Sequence, residues 1–217
     1  MDVHNTVTYI EQFLYVGKGL FFTLQLLVLS LCLGGFAGFI LSFLRFTKRF
    51  HHPIAIFVSV IRGTPLILQL SIVFYSIPRL TGWQMDFLSA GLFAFGLNSS
   101  AYISEIFRSG LESLPKGQFE AAQTLHIPVF YMWRDIIIPQ MIRRVCPALT
   151  SEVINLLKET ALISSIGGID IMRRAQLLAA SQFTHFLPLC VAALYYYVLV
   201  LCIEYGGKII ENRLKNA

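Results

Sequence analysis

Charge is what this chain has least of. Aspartate, glutamate, lysine and arginine make up 13% of its 217 residues, against ~25% in an ordinary soluble domain. With 56% hydrophobic residues and a mean hydropathy of +0.67, much of the surface must face lipid, so the chain reads as an all-α integral membrane protein. Catalytic signatures are missing too. There is no GxxxxGK[ST] phosphate loop, no HExxH and no GxSxG, which argues against a nucleotide hydrolase, a metalloprotease or a serine hydrolase. Cys32, Cys190 and Cys202 lie in apolar runs and Cys146 at the edge of one, without C-x-x-C spacing. They read as small buried apolar residues, not metal ligands. The first 17 residues lack the basic n-region of a cleavable signal, so the N-terminus is expected to be retained. The net charge of +5 does not indicate nucleic acid, because most lysines and arginines flank apolar runs and do not form a phosphate-tracking patch.

What is present is a series of long apolar stretches. Residues 19–44 carry no charge and exceed the ~20 residues that a helix needs to span the hydrocarbon core. Further spans are expected at 53–77, interrupted by Arg62, at 87–107, at 145–169 and at 183–203. The fourth contains Glu152, Lys158 and Glu159, so hydropathy alone marks it poorly. About five transmembrane helices in a single domain over 1–217 is the expectation. With the N-terminus outside, the cytoplasmic side receives Arg45, Lys48, Arg49, Arg108, Lys116, Arg134, Arg143, Arg144, Lys208, Arg213 and Lys215. Only Lys18, Arg79, Arg173 and Arg174 fall outside, and this asymmetry predicts N-out, C-in. The outer pair Arg173–Arg174 runs against the rule.

Between the third and fourth spans lies the segment 112–140, whose stretch 120–139 is too polar to cross a bilayer and too apolar for a hydrated loop. Residues 115–126 suit one short helix, and Pro128 has the φ of a first helical turn, so a second helix can start there and Pro139 is expected to limit it. Phe119, Leu125, Phe130, Trp133 and Ile137 are available to pack on one side, and the small Ala121–Ala122 pair permits close approach to a partner. Such an element reads as a docking surface for another protein; an amphipathic helix pair resting on the bilayer is the plainer alternative.

The string Glu120-Ala121-Ala122 followed by Ile136-Ile137-Ile138-Pro139 resembles the EAA loop of ABC-importer permeases. The stretches GLFFTLQL (19–26), IRGTPLILQL (61–70), LNSSAYISEIFR (97–108), LPKGQFEAA (114–122) and LLKETALISSI (156–166) are similar to the polar amino acid branch of that family, in order along nearly the whole chain. The resemblance implies a MetI-like type I importer permease of the bacterial inner membrane. Its implied partners are cytoplasmic ABC ATPases, a second permease subunit (itself or a homologue) and a periplasmic amino-acid-binding protein. It implies no cofactor of its own, since ATP would be bound by the ATPase. Glu120, Ala121, Ala122, His126 and Pro139 would couple to that ATPase, and an arginine- or glutamine-class amino acid would be the cargo. Two positions depart from the pattern: His126 replaces the loop's glycine, and Lys158-Glu159-Thr160-Ala161-Leu162 replaces Lys-Asp-Thr-Ser-Leu.

Charges near the bilayer centre cost about 2.5–3.5 kcal/mol each on insertion scales, so those present need a reason. Arg62-Gly63-Thr64-Pro65 is expected to break its span, and broken helices at membrane depth line cavities. Arg62, Thr64, Gln69, Asn98, Tyr102, Glu152, Lys158 and Glu159 are therefore the candidate substrate-pathway residues. For Arg62 the alternative is an internal ion pair with one of the two glutamates, and for Asn98 and Tyr102, four residues apart, interhelical hydrogen bonding. Glu152 and Glu159, seven apart, share a helix face about 10 Å long. Ion-coupled secondary transport or a channel explains the buried charges as well, but leaves 112–140 without a purpose.

Overall fold

The computed structural model describes residues 3–46 and 50–216; Lys48 and Arg49, expected at a cytoplasmic end, lie outside them. Those residues form helices and short connections, with no strand among them. In order they are α1 (Val3–Gly17), α2 (Leu20–Phe46), α3 (His51–Gly63), α4 (Leu66–Ser71), a π turn (Ile72–Ser76), α5 (Ile77–Thr81), α6 (Phe87–Glu112), α7 (Lys116–Thr124), α8 (Val129–Tyr131), a second π turn (Met132–Ile137), α9 (Ile138–Glu159), a 3-10 turn (Thr160–Ile166), α10 (Ile171–Gln182) and α11 (Phe186–Asn216).

α2 and α6 form the central pair, and small residues make it possible. A Cβ on Gly34 would sit 2.8 Å from the Ser99 Cβ, and one on Gly38 2.8 Å from the Ser100 carbonyl. This Gly-x-x-x-Gly face lets two backbones approach where lipid offers no hydrophobic drive for helix association. On its other side α2 presents Phe21, Phe36 and Phe43 outward, as a helix facing hydrocarbon should. Around the pair lies a core of Leu26, Leu70, Phe95, Leu156, Leu157 and Ile163.

Two helices among the described residues, Ile10–Arg45 and Phe186–Leu214, are long and apolar enough to cross a membrane alone. The segments His51–Gly63 and Leu66–Thr81 reach that standard only together, and they are bent by 99°. The span expected at 53–77 is thus not one straight rod. The expected 87–107 segment falls within α6, and the expected 145–169 segment takes in the C-terminal part of α9, the 3-10 turn and the three residues after it. α6 is enclosed, burying Asn98, Ser99, Ser100 and Ser104, so its polar residues face protein and its hydropathy is low for that reason. The last helix runs well beyond the expected end at 203: Lys208, Arg213 and Lys215 sit on α11, not on a loose tail.

Pro139 does not end the second helix of the 112–140 segment. Helical geometry runs unbroken from Val129 to Ile166. A proline clashes with the carbonyl four residues earlier, and here the π turn at Met132–Ile137 widens the helix just where that clash would fall. The segment therefore feeds directly into α9.

Candidate transport pocket and coupling surface

Tyr102 of α6 and Glu152, Asn155, Lys158 and Glu159 of α9 line a cavity of about 360 Å3. Residues 152, 155 and 159 fall on one helical stripe, so the α9 register alone brings both carboxylates to the same space. Glu152 is buried and accepts a hydrogen bond from Ser99 Oγ at 3.1 Å. Just beyond Glu159 the helix tightens into the 3-10 turn, where Thr160 Oγ1 donates to the Leu157 carbonyl at 2.6 Å. Gly167 ends that turn at φ +105, its neighbour Gly168 N–H closing onto the Ile163 carbonyl. This left-handed stop suits glycine. Of the expected pathway residues, the fold thus gathers Tyr102, Glu152, Lys158 and Glu159. Asn155 was not singled out from the sequence, though its i+3 spacing from Glu152 could have revealed it. Ser99 carries no such signal.

The other expected pathway residues lie elsewhere. Gln69 and Thr64 serve the 99° bend: Gln69 Nε2 donates to the Ile61 carbonyl at 2.7 Å, to Thr64 Oγ1 at 2.8 Å and to the Thr64 carbonyl at 3.2 Å. Thr64 Oγ1 in turn donates to the Val60 carbonyl at 2.9 Å. Carbonyls orphaned by the helix break are thereby satisfied inside the chain, as burial in a membrane demands. Asn98 is buried one turn from Tyr102 and does not line the cavity.

Arg62 pairs with neither Glu152 nor Glu159. Its guanidinium lies 5.0 Å from the centroid of the Tyr102 ring and 3.9 Å from Glu105 Oε1. Glu105 is the hub of an ionic cluster that the sequence did not reveal. It accepts from Arg45 Nη1 of α2 at 2.8 Å and from Arg108, which also reaches Glu112. The expected ion pair exists, but with a glutamate one turn along α6, because the bend aims α3 at that helix. Neither Lys158 nor Glu159 has an ion-pair partner within 4.0 Å among the described residues.

The 112–140 segment is built from α7 and the start of the long helix. Phe119, Ile127 and Trp133 pack with Leu114, Ala122, Met132, Ile137 and Met141 into a separate core. α7 ends in a Schellman motif: Ile127 N–H bonds the Ala122 carbonyl and His126 N–H bonds the Gln123 carbonyl. His126 sits at its left-handed position with φ 52, where glycine is the strain-free residue. Gln140 Nε2 donates to Gln118 Oε1 at 3.1 Å and ties α7 to α9, while Arg144 of α9 donates to the carbonyl of Ser113, the residue that caps the end of α6.

Two expectations about this segment need correction. Leu125 and Phe130 do not pack inward; with Val129 and Tyr131 they form an exposed apolar face. Ala122 is buried in the segment's own core, so of the alanine pair only Ala121 is free to meet a partner. Glu120 is exposed beside it. Arg134 lies over the rings of Phe130 and Tyr131 at 5.5 and 5.1 Å and grips Asp135 with two bonds of 2.7 and 3.1 Å. That grip holds the Asp135 carboxyl below its usual pKa. An exposed apolar face, stiffened by a stacked arginine, is suited to burial against another surface.

No group of three or more metal-ligating side chains gathers among the described residues. Comparison with known proteins agrees with the architecture. The family of binding-protein-dependent transport system inner membrane components matches residues 20–216. The arginine transport system permease protein ArtQ of Bacillus subtilis is 41% identical over 95% of each chain. A Rickettsia bellii permease provisionally named for glutamine transport, GlnP, is 40% identical over 96% of each. A chain of an amino acid ABC transporter crystallised with histidines superposes with a TM-score of 0.87 at 32% identity, covering 98% of this chain and 99% of that one. The inward-facing MetNI methionine transporter, at 18% identity and a TM-score of 0.79, shares the fold over 92% of this chain and 96% of its own. Agreement over nearly the full length of each chain settles the family: this chain is a binding-protein-dependent transport system inner membrane component, the permease part of an ABC importer.

Proposed function

We propose that the chain carries a polar amino acid with a cationic group, of the arginine or glutamine class, from a periplasmic binding protein to the cytoplasm. It works beside a second permease subunit, with five spans, the N-terminus outside and one ATPase docked on the exposed α7–α8 face of each subunit. The observation that carries this reading is the pocket chemistry. Two carboxylates, one ammonium, an amide and a phenol ring around a small cavity match an α-amino acid: Lys158 faces its carboxylate, while Glu152 and Glu159 face its ammonium and side-chain cation. Such pairing offsets the cost of keeping charges away from water. Relatives named for arginine and glutamine transport support the class of cargo.

The energy enters elsewhere. Leu125, Val129, Phe130 and Tyr131, with Glu120 at their edge, offer a ready surface for the ATPase, and Ala121 allows it to come close. The test uses the complex of permease, ATPase and binding protein in proteoliposomes with labelled L-arginine and L-glutamine. Glu152→Gln and Glu159→Gln should leave the complex assembled and raise the KM at least tenfold for the cationic cargo. Normal transport by both assembled variants would refute the pocket assignment.

A further inference from the structure

Arg62 occupies a position that the pocket and the ionic cluster both touch. It stands in the last turn of α3, whose end is pinned by the three Gln69 bonds, so its backbone has one place to be. From there its side chain meets two residues of α6 that are one turn apart: the ring of Tyr102, a wall of the pocket, and the carboxylate of Glu105. Glu105 does not need it. Arg45 at 2.8 Å and Arg108 already satisfy that carboxylate, while Arg62 stands off at 3.9 Å with 40% of its side chain exposed. It is the loosest cation in the cluster and the one that reaches the pocket wall.

The ladder continues along the same helix. Glu105 holds Arg108, Arg108 holds Glu112, and the next residue, Ser113, gives its carbonyl to Arg144 of α9. Tyr102 is thus joined through Arg62 and Glu105 to the side of the molecule that carries the coupling surface.

We propose that Arg62 is a positioning residue for transport: its guanidinium clamps the Tyr102 ring to the Glu105 cluster and keeps the pocket closed on that side until the coupling segment moves. Resting on the proposed function, this clamp lies between pocket and cytoplasm. Its weakness is what permits release, since a 3.9 Å ion pair and one stacked face part more readily than the bonds of Arg45 and Arg108. When it lets go, Tyr102 is free to turn and the cargo can leave toward the ionic cluster.

The test is the coupling ratio, amino acid moved per ATP hydrolysed, in proteoliposomes containing the complete complex with L-arginine as cargo. Arg62→Ala should raise ATP hydrolysis in the absence of cargo at least threefold and lower the coupling ratio by a similar factor. Arg62→Lys, which keeps the charge over the ring, should keep most of it. Tyr102→Leu removes the ring and leaves Glu105 untouched. It should uncouple to the same degree, and the double variant should be no worse than either single one. A residue that merely supports the fold would lower transport and hydrolysis together and leave their ratio unchanged. An unchanged ratio in assembled Arg62→Ala, or additive effects in the double variant, overturns the clamp; if Arg62→Ala does not assemble, Tyr102→Leu decides alone by the same criterion. Absence of arginine stimulation in the wild-type complex would instead count against the proposed function.

Discussion

Gln69 offers a sharp test, because the fold moves it from the transport pathway to the bend. Its amide holds the Ile61 and Thr64 carbonyls and the Thr64 hydroxyl, two of these bonds at 2.8 Å or less. A net hydrogen bond contributes about 1 kcal/mol, and the half-buried Ile61 carbonyl left without its donor adds to the loss. Gln69→Ala should therefore destabilise the protein by about 2 kcal/mol. In a domain of this size that lowers Tm by roughly 5 °C. Gln69→Glu should be worse. A carboxylate cannot donate to the two carbonyls, and the Thr64 hydroxyl is already committed to Val60. Thermal unfolding of the purified complex in detergent measures the loss, and transport KM measured beside it separates the two roles. A bend residue lowers Tm in the order wild type, Ala, Glu, with KM for cargo near its normal value in whatever remains folded. Wild-type Tm in Gln69→Ala together with a raised KM would refute the assignment and return Gln69 to the pathway.

Other expectations follow from the same structure. His126→Gly relieves a left-handed backbone at φ 52 and should stabilise the protein by about 0.5–1 kcal/mol with coupling intact; loss of transport in the assembled variant would show that the imidazole has a role of its own. Glu120→Lys should leave insertion and dimerisation unchanged while abolishing cargo-stimulated ATP hydrolysis, and normal stimulation in the purified complex would remove Glu120 from the docking surface. Gly34→Leu drives a side chain into Ser99 and the Gly96 carbonyl, both within about 3 Å of a Cβ there. It should prevent close approach of α2 and α6, seen as loss of folded protein on size exclusion, whereas Gly35→Leu, with nothing within 4 Å, should be tolerated.

The class of fold was legible because lipid demands long apolar runs and satisfied backbones, and the shared face of Glu152 and Glu159 was legible because helical period follows from spacing alone. What spacing does not encode is the neighbour. The ion pair weighed for Arg62 as the alternative to a pathway role was with Glu152 or Glu159, and the partner is Glu105, since a bend of 99° decides where α3 ends. Leu125 and Phe130 were expected on one packing side with Phe119, Trp133 and Ile137 and are instead exposed while those three join the core, because the Schellman turn at His126 sets the direction of the next helix, which residue type does not reveal. Pro139 looked like a stop, and the π turn absorbed it. α6 hid its role most fully: Ser99 and Glu105 matter through contacts with α9, α2 and α3, which no local pattern announces.

One consequence of the unbroken helix from Val129 to Ile166 is mechanical. At 1.5 Å per residue, about 34 Å separates the docking end at Val129 from Glu152, and both belong to one rod. A tilt of about 5° about one end would carry the other by about 3 Å, comparable to the length of a hydrogen bond. On the proposed assignment, force applied by an ATPase at Phe130 needs no relay of intermediate residues to disturb the carboxylates of the pocket. The stroke is set by leverage, and the π turn beside Pro139 and the interior Pro147 are where the rod can lose stiffness and with it the efficiency of the stroke.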